Sequence, residues 1–127
     1  MKPQFGEIWM CNLVERSGSV QSGYRPVFIL SNNVNNTYSP TLNVIPLTSR
    51  ISKKHLPVHV ELFNYSNYGL RMMSTLLVEQ VATIPAEYLS VKLGQIDDDI
   101  ILEQIFKAIE IQFPVVSMFA QKGIKTA

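Results

Sequence analysis

An arginine carried by a flexible loop to the mouth of an apolar strand has the clearest chemical meaning in this chain. The segment reads Gly18-Ser19-Val20-Gln21-Ser22-Gly23-Tyr24-Arg25-Pro26-Val27-Phe28-Ile29-Leu30. A guanidinium is always charged and presents five donors in a rigid fork, so burying it without an anion is costly. Pro26 lacks a backbone donor and suits the first residue of a strand, which predicts Arg25 on a rim facing a pocket or groove. A second apolar segment, Asn43-Val44-Ile45-Pro46-Leu47-Thr48-Ser49, ends in two hydroxyls. A cation at one strand end and hydroxyls at another could clamp a phosphate. Spacing alone equally admits an arginine stacked on Tyr24 or paired with a surface acid, and Thr48 as an ordinary β-branched strand residue.

Other constellations are weaker. His55 and His59 would share one face of a strand and suggest a two-histidine ribonuclease, yet the sequence places no group nearby to orient either ring. Asp97-Asp98-Asp99 is consecutive, so its carboxylates diverge, and it reads as a helix cap rather than a cation site. Cys11 is the lone cysteine; among apolar neighbours it reads as a core thiol. No His/Cys/Asp/Glu set has metal-ligand spacing, and no glycine pattern marks a nucleotide loop. Neither a metal nor a cofactor is expected. Tyr24, Phe28, Phe63 and Tyr65 could stack on unpaired bases or serve as core.

The elements that must position these residues read as β over the first two-thirds. Phe5 to Leu13 is strand-like, and Val27-Phe28-Ile29-Leu30 is a continuous apolar run suited to a strand buried on both faces. Leu42 to Leu47, Val58 to Leu62 and Ser74 to Val78 supply further strands. Asn32 to Asn36 and Tyr65 to Gly69 read as turns. Short strands separated by such signals predict a small barrel or strongly bent sheet. A helical turn is expected around Pro85 to Leu89. After the aspartates, Ile101, Ile105 and Ile109 recur with Leu102, Phe106 and Phe113, while Glu103, Gln104, Lys107 and Glu110 face out. That pattern predicts an amphipathic helix ending near Pro114. The tail from Val115 lacks a clear period.

Composition bounds the rest. The length suits a single domain spanning 1–127. Hydrophobic residues at 46% and charged ones at 17% argue against disorder. A formal charge of +1 sets up no global field for nucleic acid, so any RNA contact must come from a local cluster. Arg16, Arg25, Arg50, Lys53 and Lys54 lie in two loops that could converge. Met1-Lys2-Pro3-Gln4 opens no apolar leader, and no stretch approaches the roughly 20 residues of a membrane span, so a soluble cytoplasmic protein is expected.

The glycine–serine–glutamine–glycine–arginine–proline segment resembles the signature of MazF/PemK-type toxins, the endoribonuclease halves of toxin–antitoxin modules. The resemblance continues through Ser39-Pro40-Thr41, Pro46-Leu47-Thr48, Leu56-Pro57-Val58-His59-Val60-Glu61, Tyr68-Gly69-Leu70, Glu79-Gln80-Val81-Ala82-Thr83-Ile84 and Leu93-Gly94-Gln95-Ile96-Asp97, covering about residues 5–113 in one order. It implies an SH3-like small β-barrel of the CcdB/MazF kind with a C-terminal helix, working as a homodimer. It also implies metal-independent, sequence-selective cleavage of single-stranded RNA to a 2′,3′-cyclic phosphate and a 5′-hydroxyl, and inhibition by a cognate antitoxin.

By that resemblance Arg25 and Thr48 take the catalytic positions and Gln80 a position near the RNA; Gln21, Ser49 and the loop cations Arg50, Lys53 and Lys54 are the further candidates for RNA contact. Gln80 reads equally as a polar residue at a strand end. Val20 departs from the family, many of whose members carry an acid there, and this leaves the general base unassigned. The alternative from another class is a non-enzymatic toxin of the same fold that poisons a protein such as DNA gyrase. The loop from Arg50 to Leu56 is expected to be ordered by RNA or antitoxin.

Overall fold

The computed structural model describes residues 2–13, 23–50 and 55–123. The strands are β1 (Glu7–Leu13), β2 (Gly23–Ile29), β3 (Thr41–Thr48), β4 (His59–Leu62), β5 (Ser74–Leu77), β6 (Ala82–Pro85) and β7 (Leu89–Gln95). The helices are α1 (Asn33–Tyr38), α2 (Asp99–Gln112) and α3 (Val115–Gln121). Every strand pair is antiparallel, in the order β4-β5-β3-β2-β1-β7, with β6 also paired to β3. The path from β4 to β7 does not close, so the expected barrel is corrected to a bent open sheet.

The apolar run in β2 is buried on both faces, as its composition predicts. Val27 and Ile29 join Trp9, Cys11, Leu42, Val44 and Ile84 on one side, whereas Phe28 joins Ile8, Ile45, Leu62, Leu76 and Ile105 on the other. Consecutive residues of a strand point to opposite faces, so one apolar run feeds two cores. The core that contains Phe28 is covered by α2, whose Ile105 and Ala108 are buried. Phe106 and Phe113, placed on the apolar face by the sequence period, are instead exposed.

Local chemistry accounts for the ends of the helices. Asp98 is the N-cap of α2, its side chain accepting from the Ile101 N–H at 2.8 Å. α1 replaces the turn expected at the asparagine cluster. Asn32 caps it through the Asn35 N–H at 2.8 Å, and buried Asn36 exchanges bonds with Ser31, accepting from its hydroxyl at 2.6 Å and donating to its carbonyl at 2.9 Å. Those bonds outweigh the poor helix propensity of asparagine. Beyond Pro114 the chain forms α3, tied to α2 where Glu110 accepts from the Ser117 N–H at 3.2 Å and hydroxyl at 2.5 Å. These bonds hold the Glu110 carboxyl below its ordinary pKa.

At the other edge, Glu7 ties β1 to β7. Its carboxylate accepts from the Trp9 indole at 3.0 Å and the Gln4 N–H at 2.7 Å, and pairs with Lys92 at 2.9 Å. Burial alone would raise the Glu7 pKa, but the bonds from Trp9, Lys92 and Gln4, with the lysine charge, outweigh it and lower it.

Candidate functional site

The ladder between β2 and β3 is short, and its end makes the site. Its pairs are Val27 with Pro46, Phe28 with Ile45 and Ile29 with Val44. The next residue of β2 is Pro26, which has no N–H to extend the ladder. On its far side β3 changes partner, from β6 over Thr41–Val44 to β5 at Leu47 and Thr48, and Pro46 falls in the gap. Continued by two residues, the β2/β3 register sets Arg25 opposite Thr48. Both residues line one open cleft of about 570 Å³, with Ser49, Arg71, Ser74 and Met72.

This location amends one expectation. β2 begins at Gly23 rather than Pro26, and Arg25 sits inside it opposite Cys11 of β1. Arg25 still faces the cleft because residues 23–26 pair with β1 only, leaving that half of β2 an edge toward β3. Thr48 is mostly buried, and its hydroxyl accepts from the Arg50 N–H at 3.2 Å, which fixes the oxygen and leaves its proton for an acceptor in the cleft. Among the described residues the lining holds two arginines, Arg25 and Arg71, and no acid. Tyr24 is 59% exposed, and its hydroxyl is hydrogen-bonded to that of Ser90 on β7, which holds the ring at the cleft wall.

Arg71 and Ser74 are the cleft residues that the sequence reading missed. Their signal was Tyr68-Gly69-Leu70, which leads directly into them. Gly69 adopts φ +80° and lies so close to β7 that an added Cβ would stand 1.9 Å from the Leu93 carbonyl oxygen. Only glycine fits there. Buried Leu70 then anchors the chain, leaving Arg71 exposed.

Not every predicted residue reaches the cleft. Arg50 is exposed and outside its lining, and Gln80 is half-buried in the 3₁₀ turn Val78–Gln80 after β5. Gln21, Val20, Lys53 and Lys54 fall outside the described residues, as does most of the loop expected to be ordered by ligand.

The two histidines line a second cleft of about 530 Å³, between β4 and the start of α2. His55 precedes β4 rather than sharing its face with His59. Contrary to the sequence reading, each ring has a carboxylate to orient it: His55 Nδ1 bonds Glu61, and His59 Nε2 meets Glu79 at 2.7 Å. The same cleft contains Tyr68, whose hydroxyl donates to Asp98 at 2.5 Å; burial and that carboxylate push its pKa up to about 12. Among the described residues no group of three or more His, Cys, Asp or Glu side chains could hold a metal ion. Among the described residues no helix is long and apolar enough to cross a membrane.

Comparison with known proteins matches this architecture to one family. The model of the PemK-like, MazF-like toxins of type II toxin–antitoxin systems matches residues 4–113. The endoribonuclease EndoA of Bacillus subtilis is 33% identical over 111 residues, covering 87% of this chain and 94% of that protein. The endoribonuclease MazF of Staphylococcus saprophyticus is 35% identical over 118 residues, covering 93% and 97%. Among solved structures, MazF of Deinococcus radiodurans superposes with a TM-score of 0.74 at 20% identity, covering 90% of this chain and 98% of that one. A mycobacterial endoribonuclease solved with its cognate antitoxin gives 0.67 at 19% identity, covering 89% and 96%. With the family model spanning the whole sheet and α2, the chain belongs to the PemK/MazF family of type II toxin–antitoxin toxins.

Proposed function

We propose that this chain is a toxin that acts as a metal-independent, sequence-selective endoribonuclease on single-stranded RNA. The observation that carries the reading is the meeting of Arg25 and Thr48, from two strands, in one cleft whose described lining holds no acid. The relatives named as endoribonucleases, at 33% and 35% identity over most of the chain, support it. The gyrase alternative has no counterpart among them.

In this reaction the ribose 2′-hydroxyl loses its proton and its oxygen attacks the adjacent phosphorus. The bond from phosphorus to the 5′-oxygen breaks, and a proton goes to that oxygen. The products are a 2′,3′-cyclic phosphate and a 5′-hydroxyl. Arg25 grips the phosphate with its planar fork and stabilises the charge that builds on its oxygens. Its own pKa is too high for a proton shuttle, so its role is electrostatic. Thr48 donates its hydroxyl proton to a non-bridging oxygen, and Ser49 adds a second hydroxyl at the rim. Gln21, Arg50, Lys53, Lys54 and Gln80 extend the contact along the RNA.

The chain works as a homodimer restrained by an antitoxin. Exposed Phe106, Phe113, Val116 and Phe119 offer apolar surface for assembly. The test is incubation of a long RNA with purified protein in EDTA. Discrete, reproducible cuts are expected; intact RNA would refute the reading.

A further inference from the structure

Thr48 lies between two arginines, and only one of them has a role so far. β3 is flanked by β2, which carries Arg25, and by β5, which Arg71 precedes by three residues. Two strand spacings, roughly 10 Å, separate β2 from β5. One phosphate between Arg25 and Thr48 leaves Arg71 free to meet a neighbour along the same strand.

The segment bearing Arg71 is built to hold it. Gly69 is pressed against the backbone of β7, the Leu70 N–H donates to the Tyr65 carbonyl at 3.2 Å, and Leu70 is 7% exposed. On the other side, the Ser74 hydroxyl donates to the Met72 carbonyl at 3.0 Å and closes the turn into β5. Arg71 itself is exposed, lines the cleft and forms no ion pair among the described residues. A guanidinium on an anchored turn, with no ion pair and no acid in the cleft lining among the described residues, is arranged for an anion supplied from outside.

We infer that Arg71 is a substrate-positioning residue that binds the RNA phosphate next to the scissile one, on the β5 side of Thr48. This rests on the ribonuclease reading of the cleft. It gives the cleft a direction, with the strand entering past Arg25 and continuing over Thr48 toward Arg71. Arg71 contributes to affinity and register, while bond cleavage remains with Arg25 and Thr48.

The test compares the parent protein with Arg71→Ala, Arg71→Lys and, as a surface control on α2, Lys107→Ala. Binding of a fully 2′-O-methylated single-stranded RNA, which cannot be cut, is followed across a salt series. Arg71→Ala should bind roughly ten-fold more weakly at low salt, as for one lost charge-assisted contact. The slope of log affinity against log salt should fall by about 0.7, the value for one phosphate contact on a single strand. In cleavage assays KM should rise with kcat nearly unchanged. Arg71→Lys should restore the slope but only part of the affinity, because a point charge replaces the fork. Lys107→Ala should match the parent. An unchanged slope in a folded Arg71→Ala protein would overturn the inference, as would a loss of kcat without a change in KM, or an equal slope change in Lys107→Ala. If the parent neither binds nor cuts RNA, the reading of the cleft itself fails.

Discussion

The turn that carries Arg71 depends on a backbone contact that alanine substitutions would break by calculable amounts. A Cβ on Gly69 would stand 1.9 Å from the Leu93 oxygen, and one on Gly94 would stand 2.2 Å from the Tyr68 oxygen. Both blocking atoms are backbone, so no flexible side chain can swing away. Either substitution must push the 3₁₀ turn Tyr65–Tyr68 and β7 apart by about 1 Å or more, an overpacking that costs on the order of 1–3 kcal/mol. Gly69 adds a second cost, because at φ +80° an L-residue loses roughly 1–2 kcal/mol. Gly69→Ala should therefore lose about 2–5 kcal/mol and Gly94→Ala about 1–3 kcal/mol. Stabilities of ordinary domains are about 5–15 kcal/mol. With about 4 °C of melting temperature per kcal/mol at this size, Gly69→Ala should melt roughly 8–20 °C lower. The double variant should cost less than the sum of the two, since one displacement opens the gap for both methyl groups. Urea unfolding at fixed protein concentration measures these differences. Gly69→Ala at parental stability, or a strictly additive double variant, would refute the steric argument.

Arg25→Ala should lower cleavage by about two or more orders of magnitude while leaving the melting temperature near that of the parent, and Arg25→Lys should recover little of the loss. Parental rates in Arg25→Ala, followed with a fluorogenic RNA, would place the chemistry elsewhere. The Glu7 carboxyl titrates below its ordinary 4.5 in the folded chain, so its contribution is present above that pH and is lost as pH falls through the depressed value. Glu7→Gln should therefore flatten the acid limb of a stability–pH curve measured by urea unfolding, and an unchanged limb would contradict the assignment. Sedimentation at micromolar concentration should give about twice the 14.4 kDa chain mass; a monomer that still cuts RNA would rule out assembly as a condition of activity.

Legibility in the sequence follows how local each determinant is. Val27 to Leu30 declared a doubly buried strand because both cores draw on consecutive residues, and Asp98 declared its helix because a cap acts within one turn. β7 left no such mark. Its register against β1 shifts between Ile8 and Trp9 and again between Trp9 and Cys11, so no clean alternation survives in Leu89–Gln95. β6 is short and only Ile84 in it is buried. At the site, Arg25 and Thr48 were legible from residue type and family register, but their meeting follows from a ladder that ends at Pro26. Arg71 was missed because its meaning comes from Gly69 packing on β7, a contact distant in sequence. The carboxylate partner of His59 escaped for the same reason, since Glu79 reaches His59 only through the pairing of β4 with β5, whereas His55 meets Glu61 within six residues of chain.

The central claim is that the cleft uses the substrate's own 2′-hydroxyl as nucleophile, with Arg25 stabilising the charge that develops. It is tested most directly by mapping one cleavage site in EDTA, then repeating the assay on an RNA with a single 2′-deoxy sugar at the nucleotide 5′ to that cut. The account predicts 5′-hydroxyl and 2′,3′-cyclic phosphate ends on the all-ribose RNA and no cut at the substituted position. Cleavage at the deoxy position, or products bearing a 5′-phosphate, would contradict it.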